Sequence, residues 1–259
     1  MVERVIIITG GGAGIGRAVA HLCAQRGDHI CVLDRDGAAA EKTVAQARKQ
    51  GAKAAIGLAC DVTSEGEVEA AIKESVAKLG VPWGVFANAG IDLGGLVHEL
   101  SVEQWQQVIS TNLSGVYLTC KHALRVMLAQ GRGGSIVCTS SPAAFVAFAA
   151  GAAGAYSASK GAVSALVRTL AIDYARHGIR VNAVVPGPTE TRLMWANVPA
   201  AQIAKMRQTI CSEVPLGRIA DPIEPARAVA WLLSDESSYV TGSHLVCDGG
   251  VLAKASVSV

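Results

Sequence analysis

Seven short apolar segments alternate along the chain with longer segments in which apolar residues recur every three or four positions. The first apolar segment, residues 5–9, is rich in β-branched side chains without polar alternation, which predicts a strand buried on both faces. Strands are predicted over residues 5–9, 29–33, 54–59, 83–87, 135–139, 179–185 and 243–247. The periodic segments predict helices over residues 17–26, 38–50, 64–80, 101–130, 154–177, 192–211 and 223–234.

Strands and helices alternate from one end to the other, which predicts an α/β fold with a parallel sheet covered by helices on both faces. No linker, repeat or low-complexity stretch interrupts the pattern, so we predict one domain over residues 1–259. Ligands of such sheets bind beyond the carboxyl ends of the strands. Candidate chemistry is therefore sought where the strands end.

Composition and charge narrow the classes of partner. About half of the residues are apolar (51%) and few are aromatic (4%), so the core must be built from Ala, Val, Ile and Leu. The net charge is +2 and no Lys/Arg-rich run is present. This argues against nucleic acid or an anionic membrane as the main partner and leaves a small-molecule substrate as the expected one.

The cysteine pattern and the N-terminus bear on location. Seven cysteines are scattered without a Cys-x-x-Cys pair, which is typical of free thiols in a reducing compartment. The apolar residues 5–8 are too short for a secretory signal, and no segment is long enough to span a bilayer. We expect a cytoplasmic protein. The six histidines lack ligand spacing, so no metal site is expected.

A glycine-rich loop, residues 10–16, separates the first strand from the first helix. Glycines at this point let backbone N–H groups approach a pyrophosphate, and the helix N-terminus favours the anion. The spacing is Gly-x-x-x-Gly-x-Gly, which differs from the Gly-x-Gly-x-x-Gly fingerprint. Its place between a buried strand and a helix predicts dinucleotide binding.

Acidic residues end the second and third strands. Asp34 can accept hydrogen bonds from the adenosine ribose hydroxyls and repel a 2′-phosphate, which favours NAD over NADP. Arg35 follows it and could hold that phosphate, so NADP stays open. Asp61, followed by Val62, can receive the adenine amino group or can cap the next helix, and the spacing does not separate these interpretations.

Tyr156 and Lys160 are four residues apart in a predicted helix, which places them on one face, one turn apart. A positive charge near a phenol favours its anion, so the pair can exchange a proton with a substrate hydroxyl group. Such pairs are common, and a buried tyrosine followed by a surface lysine is the simpler interpretation of the pair alone. The other motifs decide between the two.

Eight short motifs occur in a fixed order over nearly the whole chain. They are Thr9-Gly10 with Gly14-Ile15-Gly16, Asp61-Val62, Asn88-Ala89-Gly90, Thr111-Asn112-Leu113, Ser140-Ser141, Tyr156-Ser157-Ala158-Ser159-Lys160, Pro186-Gly187 and Asp248-Gly249-Gly250. In these motifs the chain resembles the short-chain dehydrogenase/reductase family. The resemblance implies a doubly wound, Rossmann-type, three-layer α/β/α fold with a seven-stranded parallel sheet. Residues 1–140 would form the cofactor half, and residues 141–259 would carry the catalytic helix and a substrate lid.

The resemblance also implies roles for single residues. Tyr156 would be the general acid/base, Lys160 would lower its pKa and bond the nicotinamide ribose, Ser141 would orient the substrate oxygen, and Asn112 would hold a water that links Lys160 to solvent. Cofactor binding is expected at Gly10, Gly12, Gly14, Ile15, Gly16, Asp34, Arg35, Asp61, Val62, Asn88, Ala89, Gly90, Tyr156, Lys160, Pro186, Gly187, Thr189 and Thr191. Asn88 would in addition support the central strands.

One departure from the family pattern concerns the serine. Ser141 precedes Tyr156 by fifteen residues, two more than is common in the family, and the excess lies in the alanine-rich residues 145–154. Ser140 is the alternative. We favour Ser141 because the small residues that follow it match the turn that usually follows the family's serine.

These features predict hydride transfer between NAD and a secondary alcohol/ketone pair. The substrate site is expected at Leu93, Ser141, Ala143, Phe145, Tyr156 and Trp195, with residues 188–215 as the lid segment. Few charges are available there, which suits an apolar or cyclic alcohol. The alternatives are an NADPH-dependent carbonyl reductase and a non-catalytic nucleotide-binding protein. The family resemblance further implies a homotetramer formed through the two long helices and the C-terminal segment.

Overall fold

The structure, a computed structural model, describes residues 4–148 and 151–254. Its strands are β1 Val5–Thr9, β2 His29–Asp34, β3 Ala55–Ala59, β4 Pro82–Ala87, β5 Gly134–Thr139, β6 Ile179–Pro186 and β7 His244–Cys247. Its α-helices are α1 Gly14–Gln25, α2 Gly37–Lys49, α3 Glu65–Leu79, α4 Val102–Ile109, α5 Gly115–Gln130, α6 Gly154–Ala175, α7 Arg192–Trp195, α8 Ile203–Glu213 and α9 Ile223–Leu232.

The seven strands form one parallel sheet in the order β3-β2-β1-β4-β5-β6-β7. The order reverses between β1 and β4, so this is the doubly wound arrangement that was predicted. A ligand is expected at the switch point, beyond the carboxyl ends of these two strands.

The sheet has an apolar core on each face. One core packs α3, α5 and α6 against the sheet, and the other packs α1, α2 and α9 against it. β1 is buried along its whole length because it lies in the middle of the sheet between both layers. The three-layer architecture is therefore confirmed. Among the described helices, none combines the length and the apolar character that crossing a membrane requires.

The long helix predicted over residues 101–130 is two α-helices joined by a π-helical turn, Ser110–Ser114. Ser101 begins α4 with a full capping box, in which its hydroxyl group accepts the Gln104 N–H and the Gln104 side chain accepts the Ser101 N–H. Asn112 lies at the centre of this turn, and its side chain bonds Ile91 in the loop after β4 and Ser159 in α6. π-helical turns are frequent at functional sites.

Two other helices depart from a regular pattern. The Ser-x-x-Glu spacing of residues 64–67 is typical of a capping box, but at α3 it is half formed: the Ser64 hydroxyl accepts the Glu67 N–H, whereas the Glu67 carboxylate accepts the Asp61 N–H. The helix predicted over residues 192–211 is broken into α7, a 3₁₀ turn at Ala200–Gln202 and α8. Pro199 stands at the break, and it cannot donate the backbone hydrogen bond that a continuous helix requires there.

Candidate functional site

The carboxyl ends of β1, β4 and β5 are tied together by one side chain. The Asn88 amide group donates to the carbonyl oxygens of Thr9 and Gly10, both at 3.2 Å, and accepts the Thr139 hydroxyl at 3.1 Å. The Thr9 hydroxyl in turn accepts the backbone N–H groups of Asn88 and Ala89. These bonds fix the central strand ends relative to the glycine loop, as expected for Asn88.

The glycine loop requires glycine for steric reasons. Gly10 has φ of +62° and Gly14 has φ of +52°, a region that favours glycine. A Cβ atom added to Gly16 would lie 2.4 Å from the Gly10 carbonyl oxygen. The loop is therefore folded tightly at the N-terminus of α1, where a dinucleotide pyrophosphate fits.

Arg17 and Asp34 brace this loop from two sides. The Arg17 guanidinium donates to the Gly12 carbonyl oxygen, through Nε at 3.1 Å and also through Nη2. The Gly12 N–H donates to Asp34 Oδ2 at 2.8 Å, and Asp34 Oδ1 accepts the Asp36 N–H at 3.0 Å. Asp34 thus ends β2 beside the loop, where an acid can reach the adenosine ribose. The bracing role of Arg17 was not predicted.

Three more of the predicted cofactor residues follow strands β2 and β3: Arg35, Asp61 and Val62. Asp61 Oδ1 accepts the N–H and the hydroxyl of Thr63, and these bonds hold the pKa of Asp61 below its ordinary value. Asp61 therefore shapes the turn before α3, while Ser64 caps that helix. Val62 is buried against Gly115. Arg35 is exposed, and its charge also lowers the pKa of Asp61.

Ser141 and Tyr156 meet at the end of β5. The Ser141 hydroxyl lies close enough to the Tyr156 phenol to favour its anion, and the Ser141 oxygen accepts the Ala143 N–H at 3.2 Å. Ser140 points elsewhere: its hydroxyl lies 2.6 Å from that of Ser164, inside the contact between β5 and α6. The geometry therefore favours Ser141 over Ser140 as the serine beside the tyrosine.

Lys160 and Asn112 lie below the tyrosine. Lys160 is 2% exposed, and its Nζ donates to the Thr139 carbonyl oxygen at 2.9 Å. Asn112 is fully buried; its Oδ1 accepts the Ile91 N–H and its Nδ2 donates to the Ile91 carbonyl, both at 2.8 Å. The same Nδ2 donates to Ser159 Oγ at 3.1 Å. The Asn112 side chain is thus occupied by protein groups, so any water at this residue would be held by its backbone.

The two titratable groups are shifted by burial. Desolvation raises the pKa of Tyr156 to about 12; the neighbouring Ser141 hydroxyl opposes this change, and the charge of Asp92 adds to it. Desolvation lowers the pKa of Lys160 to about 8. The pKa of Tyr156 is therefore raised, whereas the family resemblance implied that Lys160 lowers it.

The loop after β6 closes over the glycine loop. Gly187 donates its N–H to the Cys247 carbonyl, and a Cβ on Gly187 would lie 2.5 Å from Asp248 Cα, so Pro186-Gly187 packs on the C-terminal motif. Thr189 is buried, and its hydroxyl donates to the Gly187 carbonyl at 2.9 Å. A Cβ on Gly14 would lie 3.1 Å from Thr191 Cγ2. Thr191 therefore faces the glycine loop directly.

The predicted substrate residues differ in burial and in their contacts. Ala143 is buried beside Ser141, and Leu93 is half-buried in the loop after β4. Phe145 is 48% exposed, and its ring packs edge-to-face against His244 of β7 at 5.6 Å. The contact with β7 gives no support to a substrate role for Phe145.

Trp195 makes its polar contacts within the lid segment. Its indole N–H donates to Glu190 Oε1 at 2.7 Å, and the Arg207 guanidinium stacks 5.0 Å from its ring centre. It borders a cleft of about 710 Å³ whose lining includes Gly14, Arg17 and Thr191 but neither Ser141 nor Tyr156. This position gives no support to a substrate role for Trp195.

Two residues near the tyrosine were missed by the sequence analysis. Asp92 lies close enough to Tyr156 for its charge to raise the phenol pKa, and Asn197 of the lid segment donates to the Asp92 carbonyl at 3.1 Å. A charged residue two positions after Asn88-Ala89-Gly90 is the signal that could have identified Asp92. Asn197 has no comparable signal, because its contact joins residues 105 positions apart.

Known proteins resemble this chain over nearly its whole length. A protein-family model described as enoyl-(acyl carrier protein) reductase matches residues 10–252. The 2,5-dichloro-2,5-cyclohexadiene-1,4-diol dehydrogenase of Sphingobium indicum is 40% identical over 251 residues, which are 96% of this chain and 97% of the relative. The cis-4-hydroxycyclohexanecarboxylate dehydrogenase of Sinomonas cyclohexanicum is 42% identical over 252 residues, 97% of each. The crystal structure of levodione reductase superposes with a TM-score of 0.94 at 32% identity, covering 98% of this chain and 100% of that one.

Proposed function

The chain belongs to the short-chain dehydrogenase/reductase family, and from that premise we propose that it oxidises a secondary hydroxyl group on an apolar ring to a ketone, and reverses this reaction, with NAD as cofactor. The relatives act on ring alcohols and levodione reductase is named for a ketone, which supports an alcohol/ketone oxidoreductase. The observation that carries the proposal is the meeting of Ser141 and Tyr156 after β5, with the buried Lys160 Nζ 5.6 Å from the ring centre of Tyr156.

In the oxidative direction, the Tyr156 phenolate takes the proton of the substrate hydroxyl group. Ser141 donates its hydroxyl hydrogen to the substrate oxygen and so holds that oxygen beside the phenolate. NAD⁺, when bound, supplies the acceptor for the hydride that leaves the carbon. The proton then reaches solvent from Tyr156 by way of Lys160 and a water held at the backbone of Asn112.

Burial disfavours the charged phenolate form of Tyr156, so a positive charge nearby is needed to stabilise it. At pH 7 the ammonium of Lys160 is largely protonated, because its pKa of about 8 lies above that pH. Each unit by which a charge lowers the pKa of the phenol corresponds to ~1.4 kcal/mol of interaction free energy. The pKa of about 12 holds with Lys160 already in place, so the positive charge of the oxidised cofactor would have to bring the pKa of Tyr156 toward the working pH.

Asp34 supports NAD rather than NADP. Its carboxylate is anchored to the Gly12 N–H at 2.8 Å, at the side of the glycine loop where the adenosine ribose would lie. A 2′-phosphate would meet this negative charge. The competing NADPH-dependent reductase rests on Arg35, which is exposed and near Asp61, and so could swing toward a phosphate.

A non-catalytic nucleotide-binding role explains less of the site. The glycine loop and Asp34 would suffice for it. Burying a lysine costs free energy, and a non-catalytic role gives no reason to bury one a helical turn from a tyrosine that lies beside a serine.

We further propose that the chain is a homotetramer in which α5 and α6 lie at an interface. An apolar groove of about 250 Å³ runs between these helices, lined by side chains that include Tyr117, Leu124, Leu128 and Leu166. Tyr117 is 48% exposed and Leu128 36%, so the groove is open. Light scattering that finds a stable monomer would contradict this assembly.

The function is tested with a panel of secondary alcohols. Cyclohexanol, substituted cyclohexanols, cyclohexanediols and open-chain alcohols are each incubated with NAD⁺ or NADP⁺, and reduced nicotinamide is followed by its absorbance. We expect turnover of the ring alcohols with NAD⁺. Absence of turnover with every alcohol and both cofactors, in a protein that binds NAD⁺, would support the non-catalytic alternative instead.

A further inference from the structure

The loop after β4 is held rigidly next to the proposed catalytic residues. Both backbone groups of Ile91 are bonded at 2.8 Å by the side chain of the buried Asn112. A Cβ atom added to Gly90 would lie 3.2 Å from Asn112 Oδ1 and 3.6 Å from Lys160 Nζ. The backbone that leads into Asp92 is therefore fixed relative to α6, which carries Tyr156 and Lys160.

The lid segment holds the same loop from the other side. Asn197 Nδ2 donates to the Asp92 carbonyl at 3.1 Å, and a Cβ on Gly94 would lie 3.3 Å from that nitrogen. Asp92 thus lies between Ile91, which Asn112 holds after β4, and the lid segment. The charge of Asp92 acts on Tyr156, so its carboxylate lies near the phenol at which a substrate would bind.

The half-buried Asp92 side chain has one oxygen to spare. Oδ1 accepts the Gly94 N–H at 3.0 Å, which fixes the carboxylate, whereas Oδ2 has no hydrogen-bond donor within residues 4–148 and 151–254. Its negative charge reaches Tyr156 and opposes the phenolate that the proposed reaction needs. Because this charge opposes the proposed proton transfer, we look for another role of Asp92 at the site. An ionised carboxylate can only accept hydrogen bonds.

We propose that Asp92 is a specificity-determining residue, whose free carboxylate oxygen accepts a hydrogen bond from a second, non-reacting hydroxyl group of the substrate and repels anionic substrates. This inference rests on the proposed function and narrows it to neutral ring diols. Hydrogen bonds to a charged acceptor are stronger than neutral ones, and a site with a half-buried carboxylate discriminates against a substrate that leaves it unpaired.

The test compares wild type with Asp92→Asn on three probes: cyclohexane-1,4-diol, cyclohexanol and the anion 4-hydroxycyclohexanecarboxylate. The Asn side chain keeps the size and can still accept the Gly94 N–H. We expect kcat/KM for the diol, relative to cyclohexanol, to fall about fivefold, since a charge-assisted bond becomes a neutral one. We expect kcat/KM for the hydroxy acid, relative to cyclohexanol, to rise about tenfold as the repulsion is removed. Asp92→Ser, which also retains an acceptor for the Gly94 N–H, repeats the test independently.

The control is Glu99→Gln, which removes the same charge from an exposed position in the same loop and should change neither ratio. Unchanged ratios in both Asp92 variants, or an equal loss on all three probes, would overturn the inference while leaving the proposed function intact. If wild type oxidises none of the three, the proposed function has failed and the inference fails with it, so the two failures are distinguishable.

Discussion

The ammonium nitrogen of Lys160 lies 5.6 Å from the ring centre of Tyr156, inside a region where both side chains are desolvated. The four-residue spacing on α6 places them on one face, and the Thr139 carbonyl at the end of β5 holds the lysine at 2.9 Å. A positive charge at this distance favours the phenolate, but burying that charge lowers the free energy of unfolding. The first prediction concerns this loss of stability.

Replacing Lys160 by Met should stabilise the cofactor-free protein at pH 7. The folded-state pKa of Lys160 is about 8, below its ordinary value of 10.5, so between these values the unfolded chain holds more protons. The stability of wild type attributable to this residue therefore rises with pH across that window. The advantage of Lys160→Met should be up to about 3 kcal/mol below pH 8 and should shrink toward pH 10.5.

Denaturant unfolding at several pH values measures this difference. The buried thiols of Cys23, Cys31 and Cys60 titrate at high pH in both proteins and cancel. The lost bond to the Thr139 carbonyl contributes an offset that does not change with pH. A gap between the two proteins that stays constant from pH 7 to pH 10 would contradict a buried, desolvated ammonium.

Gly90→Ala should impair catalysis without unfolding the protein. The added Cβ would lie 3.2 Å from Asn112 Oδ1, so the amide must move by a few tenths of an ångström, and Lys160 Nζ lies just beyond it. Small displacements of catalytic groups are costly, and we expect kcat to fall about tenfold. The matched control is Gly161→Ala on α6, which meets no atom within 4 Å and should keep full activity. Equal activity of both variants would sink this prediction.

Asp34→Asn should relax the choice of cofactor. The amide can still accept the Gly12 N–H, but the charge that opposes a 2′-phosphate is gone. We expect wild type to prefer NAD⁺, and the ratio of kcat/KM for NAD⁺ to that for NADP⁺ to fall about tenfold. Glu41→Gln, at an exposed position of α2, is the charge-matched control. A wild-type preference for NADP⁺ would refute the role of Asp34 and favour that of Arg35.

Arg207→Gln should weaken cofactor binding through the lid segment. Arg207 pairs with Glu190 through two bonds, at 2.5 and 2.9 Å, and joins α8 to the backbone next to Thr191. The pair is exposed, so breaking it should barely change the free energy of unfolding. We expect KM for NAD⁺ to rise a few-fold, because Thr191 packs against Gly14. Arg218→Gln breaks an equivalent pair with Glu224 outside α8 and should leave KM unchanged.

Local patterns were enough to predict the sheet and the strand ends. β1 is apolar along its whole length and is followed by glycines, so its burial and the loop at its end follow from neighbouring residues. The pairing of Tyr156 with Lys160 is likewise set within one helical turn. What lies on a strand end or within one turn could be predicted for that reason.

The π-helical turn, the contacts of Trp195 and the contact of Asn197 with Asp92 could not be predicted. Asn112 widens its helix by bonding Ile91 and Ser159, which are 21 and 47 positions away. Trp195 contacts Glu190 and Arg207, which give its indole N–H an acceptor and its ring a cation. Each of these depends on tertiary contacts for which local periodicity carries no signal.

The most direct test of the account is Tyr156→Phe, with cofactor binding and turnover measured on the same preparation. The substitution removes only the phenol oxygen, so we expect NAD⁺ to bind as in wild type. Oxidation of cyclohexanol or cyclohexane-1,4-diol should fall by about 10²–10⁴-fold, the range that a general base contributes. Turnover within tenfold of wild type, in a variant that still binds NAD⁺, would contradict the assignment of Tyr156 as the residue that takes the substrate proton.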